Sequence, residues 1–398
     1  MSRSGLTRRE VLATGAVTGA GLALGLRSTT AAASPAADDI SFFVISDTHM
    51  LADATTPGRV DAERFALNER LIDTLNRLPS GRLPDAVGGG ALTPPRAVLH
   101  LGDIADSGDK LDETHVRMTT TEFAAHARLY GSTGRDGRLR YPLREIHGNH
   151  DTPRGDNVTI TGLVARNARH TGLVRRSANG LHYAWDWDGV HFVMLGIVVG
   201  VNRDDRPVSR YGAWDSLAFL EADLAASVGT SGRPVILMQH VDLQRYAQPC
   251  DTEPAGGSRA LCCEGMARIA WHSKDCPKHA EGISMSEWSP CDVRAYHQAI
   301  APYNVAAIFH GHLHARRTDT WTGDAIAPLG RAAGIPVFGV KNAGAGGTAR
   351  AFFWCRIVEG VLEVREYRSL GEFGWDPARA ELGWEPQVWR VPAAPRPR

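Results

Sequence analysis

Five short apolar runs in this chain each stop at a group of Asp, Asn or His side chains, and this constrains the fold more than any other feature. Residues 40–46 (ISFFVIS) lead into Asp47-Thr48-His49. Residues 96–101 (RAVLHL) lead into Gly102-Asp103-Ile104-Ala105-Asp106, and residues 143–146 into Gly148-Asn149-His150-Asp151. Residues 234–238 end at Gln239-His240, and residues 305–309 at His310-Gly311-His312-Leu313-His314. Runs of this length bounded by polar residues predict buried strands. In open α/β sheets the carboxyl ends of the strands are where ligands bind.

Between these runs the periodicity turns helical. Phe65, Leu67, Leu71, Ile72, Leu75 and Leu78 predict a helix over 61–78, stopped by Pro79-Ser80-Gly81. Further helices are expected over 113–130 and 216–228, and a Gly/Pro-rich loop over 79–95. Residues 181–187 and 190–195 flank Asp188-Gly189, a strong two-residue hairpin signal. A second hairpin is expected over 356–367 around Glu359-Gly360. There is no internal repeat. With 22% charged and 43% hydrophobic residues, the composition is that of a globular protein. Strand–helix alternation followed by hairpins predicts a layered α/β fold. One domain over 38–368 is expected, then a tail over 369–398 that packs in part and frays.

Residues 1–33 read differently. Arg3, Arg8, Arg9 and Arg27 against Glu10 give them a net charge of +3. They are followed by a weakly apolar run over 11–26 and by Ala31-Ala32-Ala33, the layout of an export signal. Thr7-Arg8-Arg9-Glu10-Val11-Leu12 resembles the twin-arginine signal, which implies the twin-arginine machinery as a partner. An exported location follows: extracellular, cell-wall or periplasmic. The run is too short and too rich in glycine for a stable membrane span. Without it the chain holds 40 basic and 43 acidic residues, so no broad nucleic-acid-binding surface is expected.

The strand-end residues define a chemistry. Two Asp, one Asn amide oxygen and four His suit Zn, Mn or Fe in five- or six-coordinate sites. No Cys stands among them, which argues against a zinc finger. Two ions a few ångström apart need a bridging carboxylate, and Asp103 is the natural one. Such a pair activates a water and neutralises phosphoester oxygens during in-line displacement. Singly, each motif reads as a strand-end turn or a core histidine. Five in this order, each after an apolar strand, do not.

The order DxH, GDxxD, GNHD, isolated His, GHxH resembles that of the calcineurin-like metallophosphoesterases. The resemblance implies a four-layer αββα sandwich with a binuclear site at the strand ends. It implies that Asp47, His49, Asp103 and His314 hold one metal, and that Asp103, Asn149, His240 and His312 hold the other. His150 would be a catalytic proton donor or charge stabiliser at the leaving group, oriented by Asp106. The arginine that protein Ser/Thr phosphatases of this superfamily carry soon after GDxxD is missing, since Ser107-Gly108-Asp109 follows Asp106. The tyrosine that purple acid phosphatases place at Asp106 is missing too. The pattern is nearest in type to the bacterial phosphodiesterase-like branch. That implies an exported hydrolase of a small phosphodiester or phosphomonoester. The rivals are a strict phosphomonoesterase and a non-catalytic metal- or ligand-binding protein on the same fold.

The six cysteines are Cys250, Cys262, Cys263, Cys276, Cys291 and Cys355. An even number in an exported chain predicts disulfides, with 15 connectivities open. A zinc site using Cys262, Cys263, Cys276 and His272 or His279 is the competing reading, and free thiols a third. The insertion over 241–290 is long for a connection between two strands. It is expected to be a stapled lid whose Trp271, His272, Lys274, His279 and Trp288 contact substrate.

Overall fold

The computed structural model describes residues 39–151, 157–201, 210–244, 287, 288, 290–323 and 325–395. The segment over 1–33 expected as an export signal and most of the insertion over 241–290 expected as a lid, with Cys250, Cys262, Cys263 and Cys276, lie outside the described residues. Of the five residues expected to contact substrate, Trp288 is described.

In chain order the strands are β1 (Ile40–Ile45), β2 (Ala52–Asp53), β3 (Thr56–Val60), β4 (Val98–His100), β5 (Leu143–Glu145), β6 (Leu173–Arg176), β7 (Tyr183–Trp187) and β8 (Val190–Met194). Then come β9 (Val235–Met238), β10 (Val305–His310), β11 (Arg317–Trp321), β12 (Ile326–Pro328), β13 (Ile335–Gly339), β14 (Ala349–Val358), β15 (Val361–Leu370) and β16 (Glu381–Pro392). One sheet has the order β16-β15-β14-β1-β4-β5, the other β12-β11-β13-β10-β9-β8-β7-β6.

The alternation along β1 shows how the layers stack. Ile40, Phe42 and Val44 enter a core shared with Phe192, Met194, Ile236 and Phe309 of the second sheet. Phe43 and Ile45 point the other way, onto Leu71, Ile72 and Leu75 of α1 (Ala62–Arg77) and Leu129 of α2 (Glu113–Tyr130). Val193 and Leu237 of the second sheet meet α4 (Ser216–Asp223) and α5 (Pro290–Ile300) in a third core. A further helix, α3 (Val158–Asn167), packs Leu163 against Phe123 of α2. Helix, sheet, sheet, helix is the four-layer αββα sandwich. A strand buried on both faces reads as a near-continuous apolar run, and the one polar residue of β1, Ser41, donates its hydroxyl to Pro94 O at 2.8 Å.

Both long helices start at side-chain caps. Asp61 accepts from Arg64 N and Asp112 from His115 N. Asp188 and Gly189, and Glu359 and Gly360, all have positive φ, the turn that matches the twist of the flanking strands. Among the described residues no helix is long and apolar enough to cross a membrane.

Three expectations need correction. The second hairpin is longer than 356–367, because its far end pairs Arg350 with Ser369 and Ala351 with Arg368, whose Arg and Ser side chains disguise strand positions as polar. In the segment over 369–398, β16 pairs along β15, and Trp384 packs on Tyr367. Cys355 is a buried free thiol inside the inter-sheet core, so the six cysteines do not pair completely. Trp288 does not face a substrate: it is buried in the third core, stacks on Tyr296 and donates its indole N–H to Val199 O at 3.0 Å.

Candidate metal centre

β1, β4 and β5 are parallel neighbours in one sheet, and β9 and β10 in the other. Their carboxyl ends meet at one edge of the sandwich. The backbone joins them there: Asp47 N donates to Gly102 O, His49 N to Asp103 O and Gly311 N to His240 O, each at 3.0 Å. Gly148 is required by this crowding, since a Cβ there would run into the Asp103 carboxylate.

Three groups of ligating atoms result, each with members within 4.8 Å of one another: Asp47, His49, Asp103 and His314; Asp103, His240 and His312; and His49, Asp106 and His150. Asp103 belongs to the first two. Its Oδ2 lies 3.6 Å from His49 Nε2 and 3.2 Å from His240 Nε2. His314 Nε2 lies 3.2 Å from both Asp47 Oδ1 and His49 Nε2. Asn149 Oδ1 joins the second group, 3.1 Å from His240 Nε2. All seven residues expected as ligands are therefore drawn together.

The electrostatics fit a cation. Burial opposes charge on Asp47, yet His314 and His240 overcome it and hold the carboxyl at about 2. Asp103 is likewise held well below the carboxylate range against its burial, mainly by His240. Burial pulls His240 down, but the Asp103 charge and hydrogen bond outweigh it and raise the imidazole to about 9. The Leu101 carbonyl accepts from His240 Nδ1 at 2.7 Å, which leaves Nε2 to face Asp103. Two imidazole nitrogens 3.2 Å apart beside buried carboxylates are donors that an ion would satisfy. Nitrogen and oxygen without sulfur suit a borderline divalent ion.

His150 sits on the open side, its backbone N–H donating to Asp103 Oδ1 at 2.8 Å. Asp106 contacts His150 through its main chain. His150 Nδ1 donates to the main-chain carbonyl of Asp106 at 2.9 Å, whereas the Asp106 carboxylate lies 3.1 Å from His49 Nδ1. Asp106 thus orients His150 by its backbone and His49 by its side chain. The reason is reach: the carboxylate turns back toward the first ligand group.

Other residues at the site escape the sequence reading. The Asp151 carboxylate accepts from Ile104 N, Ala105 N and Gly148 N at 2.7–2.9 Å, tying two ligand turns together. As the last letter of GNHD it was the one within reach. Asp109 Oδ1 lies 3.8 Å from His150 Nδ1, and Arg210 pairs with Asp109 at 2.7 Å. Glu287 Oε1 lies 3.8 Å from His312 Nε2. Arg210 and Glu287 follow no strand-end motif, so no local signal marks them.

Residues 40–316 match the family model for calcineurin-like phosphoesterases. Among solved structures, the chain is similar to a dimetal phosphatase from Danio rerio, with 13% identity, a TM-score of 0.48, and coverage of 89% of this chain and 99% of the other. It is also similar to PhoD, with 11% identity, a TM-score of 0.48, and coverage of 89% and 70%. No curated protein matches the chain by sequence.

Proposed function

The chain belongs to the calcineurin-like phosphoesterase family and is a metal-dependent phosphoester hydrolase, and we propose that it works at a binuclear centre on a small phosphodiester or phosphomonoester. The observation that carries this reading is Asp103, shared between two ligand groups on the two sheets. Asp47, His49, Asp103 and His314 would hold one ion, and Asp103, Asn149, His240 and His312 the other. The ions, when bound, supply positive charge to the phosphoryl oxygens and acidify a water for attack on phosphorus. Asp103 compensates the charge of both. His150, with Nδ1 committed to the Asp106 carbonyl, presents Nε2 to the departing alcohol and gives it a proton.

The test compares bis(4-nitrophenyl) phosphate with 4-nitrophenyl phosphate on Mn-loaded protein, with metal content measured alongside. Turnover of the diester with two metals per chain is expected. Turnover of the monoester alone would make it a strict phosphomonoesterase. Bound metals with no turnover on any phosphoester would return it to a binding role.

The reading also takes residues 1–33 as a twin-arginine export signal, on the strength of Arg8-Arg9 and the apolar run after them. Replacing both arginines by lysine should leave the protein in the cytoplasm of an expressing bacterium. Undiminished export of that variant would refute the route.

A further inference from the structure

Five of the seven proposed ligands hold their backbone where side chains rarely go. Asp47 (φ 54°), His49 (φ 41°), Asp103 (φ 54°), His312 (φ 70°) and His314 (φ 52°) all lie in the left-handed region. All five are Asp or His, which tolerate this region better than most side chains but lack the freedom of Gly. Such conformations persist only where the surroundings over-determine them. For the turns of the first sheet, one buried side chain does this from beneath.

That side chain is His100, the last residue of β4 and fully buried. Its Nδ1 accepts the backbone N–H of Gly102 at 3.2 Å. Burial keeps the ring neutral, so the remaining proton is on Nε2, which donates to Thr48 Oγ1 at 2.8 Å. Thr48 stands between the left-handed Asp47 and His49. Gly102 (φ 95°) immediately precedes the left-handed Asp103. One imidazole therefore bonds the two strained turns that carry three ligands, the shared Asp103 among them.

The ring is itself held. His126 meets it edge-on at 5.9 Å, and His126 Nε2 is fixed at 2.9 Å by the buried Glu145, which also pairs with Arg166. Tyr130 packs edge-on at 6.2 Å and donates its hydroxyl to Asn68, whose amide in turn reaches Thr48 O at 3.3 Å.

We propose that His100 is a positioning residue for the metal centre, locking the Asp47-Thr48-His49 turn against the Gly102-Asp103 turn so that the ligands are arranged before any ion arrives. The inference rests on the binuclear reading above, and neither ion nor substrate touches His100.

The test uses metal-stripped protein titrated with Mn²⁺, with thermal melts in its absence and in excess. Three variants separate the two bonds. His100→Asn keeps an acceptor near Gly102 and loses Thr48. His100→Gln reaches Thr48 and gives up Gly102. Thr48→Val removes the hydroxyl at nearly constant volume, and so reads the same bond should the His100 variants fold poorly. Each should bind Mn²⁺ roughly 10- to 100-fold more weakly than wild type, the scale for residues that orient metal ligands. The rise in Tm that Mn²⁺ produces should shrink in proportion. A purely structural histidine would lower both melts equally and leave Mn²⁺ affinity within about twofold, and that result would overturn the inference while sparing the binuclear reading. Wild-type protein that takes up no Mn²⁺ would overturn both.

Discussion

Asp106 separates two accounts of the site, because its backbone and its side chain serve different histidines. Its carbonyl accepts from His150 Nδ1 at 2.9 Å, and its carboxylate lies 3.1 Å from His49 Nδ1. His49 is almost wholly buried, so Asp106→Ala leaves its Nδ1 without the group that faces it. A buried donor without a partner costs about 1–3 kcal/mol, which corresponds to the roughly 10- to 100-fold loss seen when a metal ligand loses its orienting carboxylate. Asp106→Ala should therefore weaken Mn²⁺ binding by roughly that factor, and Asp106→Asn by less, since an amide oxygen still accepts. The main chain survives both substitutions, so the proton donor stays in place. The assay is Mn²⁺ affinity together with kcat for a series of aryl and alkyl esters. At saturating Mn²⁺ the dependence of rate on leaving group should match wild type. If Asp106→Ala instead kept full metal affinity and lost rate most on poor leaving groups, the Asp106 side chain would be acting on His150 and this reasoning would fall.

Asp103→Asn should abolish activity and reduce the metal content to one ion or none, because it removes the anion common to both ligand groups; two retained metals with near-normal turnover would refute the shared role. His150→Ala should keep its metals and lose roughly 10²–10⁴ in rate, with a smaller loss for 4-nitrophenyl than for alkyl esters; equal losses would exclude proton donation. His240, raised to about 9 in the metal-free protein, must shed a proton to bind an ion. Mn²⁺ affinity should therefore climb as pH rises from 6 towards 9, with proton release visible in calorimetry across buffers of different ionisation heat. The same proton stabilises the metal-free fold below the ordinary histidine range, and that contribution fades as pH rises through about 9. A pH-independent Mn²⁺ affinity would contradict this coupling.

Those strands and helices whose burial is simple were legible. β1 is apolar except at Ser41 because both its faces are covered, and α1 shows itself by the helical spacing of Leu67, Leu71, Ile72 and Leu75. β11 and the far end of the second hairpin were hidden because Asp319, Arg350 and Arg368 sit in strand positions where a local pattern expects apolar side chains. The ligands were legible for a different reason: each follows its strand directly, so topology alone carries it to the common edge. Which atom of Asp106 meets which histidine was not, since that depends on the path of a turn rather than on spacing. Arg210 and Glu287 arrive from segments with no strand end at all, and only the folded chain shows them beside Asp109 and His312.

The place of β1 has a consequence for how the protein is made. The first strand out of the ribosome is the fourth in its sheet, flanked by β4 on one side and by β14 on the other, where Phe43 faces Trp354. Until residues beyond 349 have been synthesised, one edge of β1 has no partner, and the apolar layer beneath it stays uncovered by β14 and β15. Pairings this distant in sequence form slowly, and nascent chains that wait for them are prone to aggregate. Assembly of the metal-binding edge is thus tied to completion of translation, so a chain stopped between residues 315 and 348 would have every ligand present and three of the six strands of the supporting sheet, β14, β15 and β16, still missing.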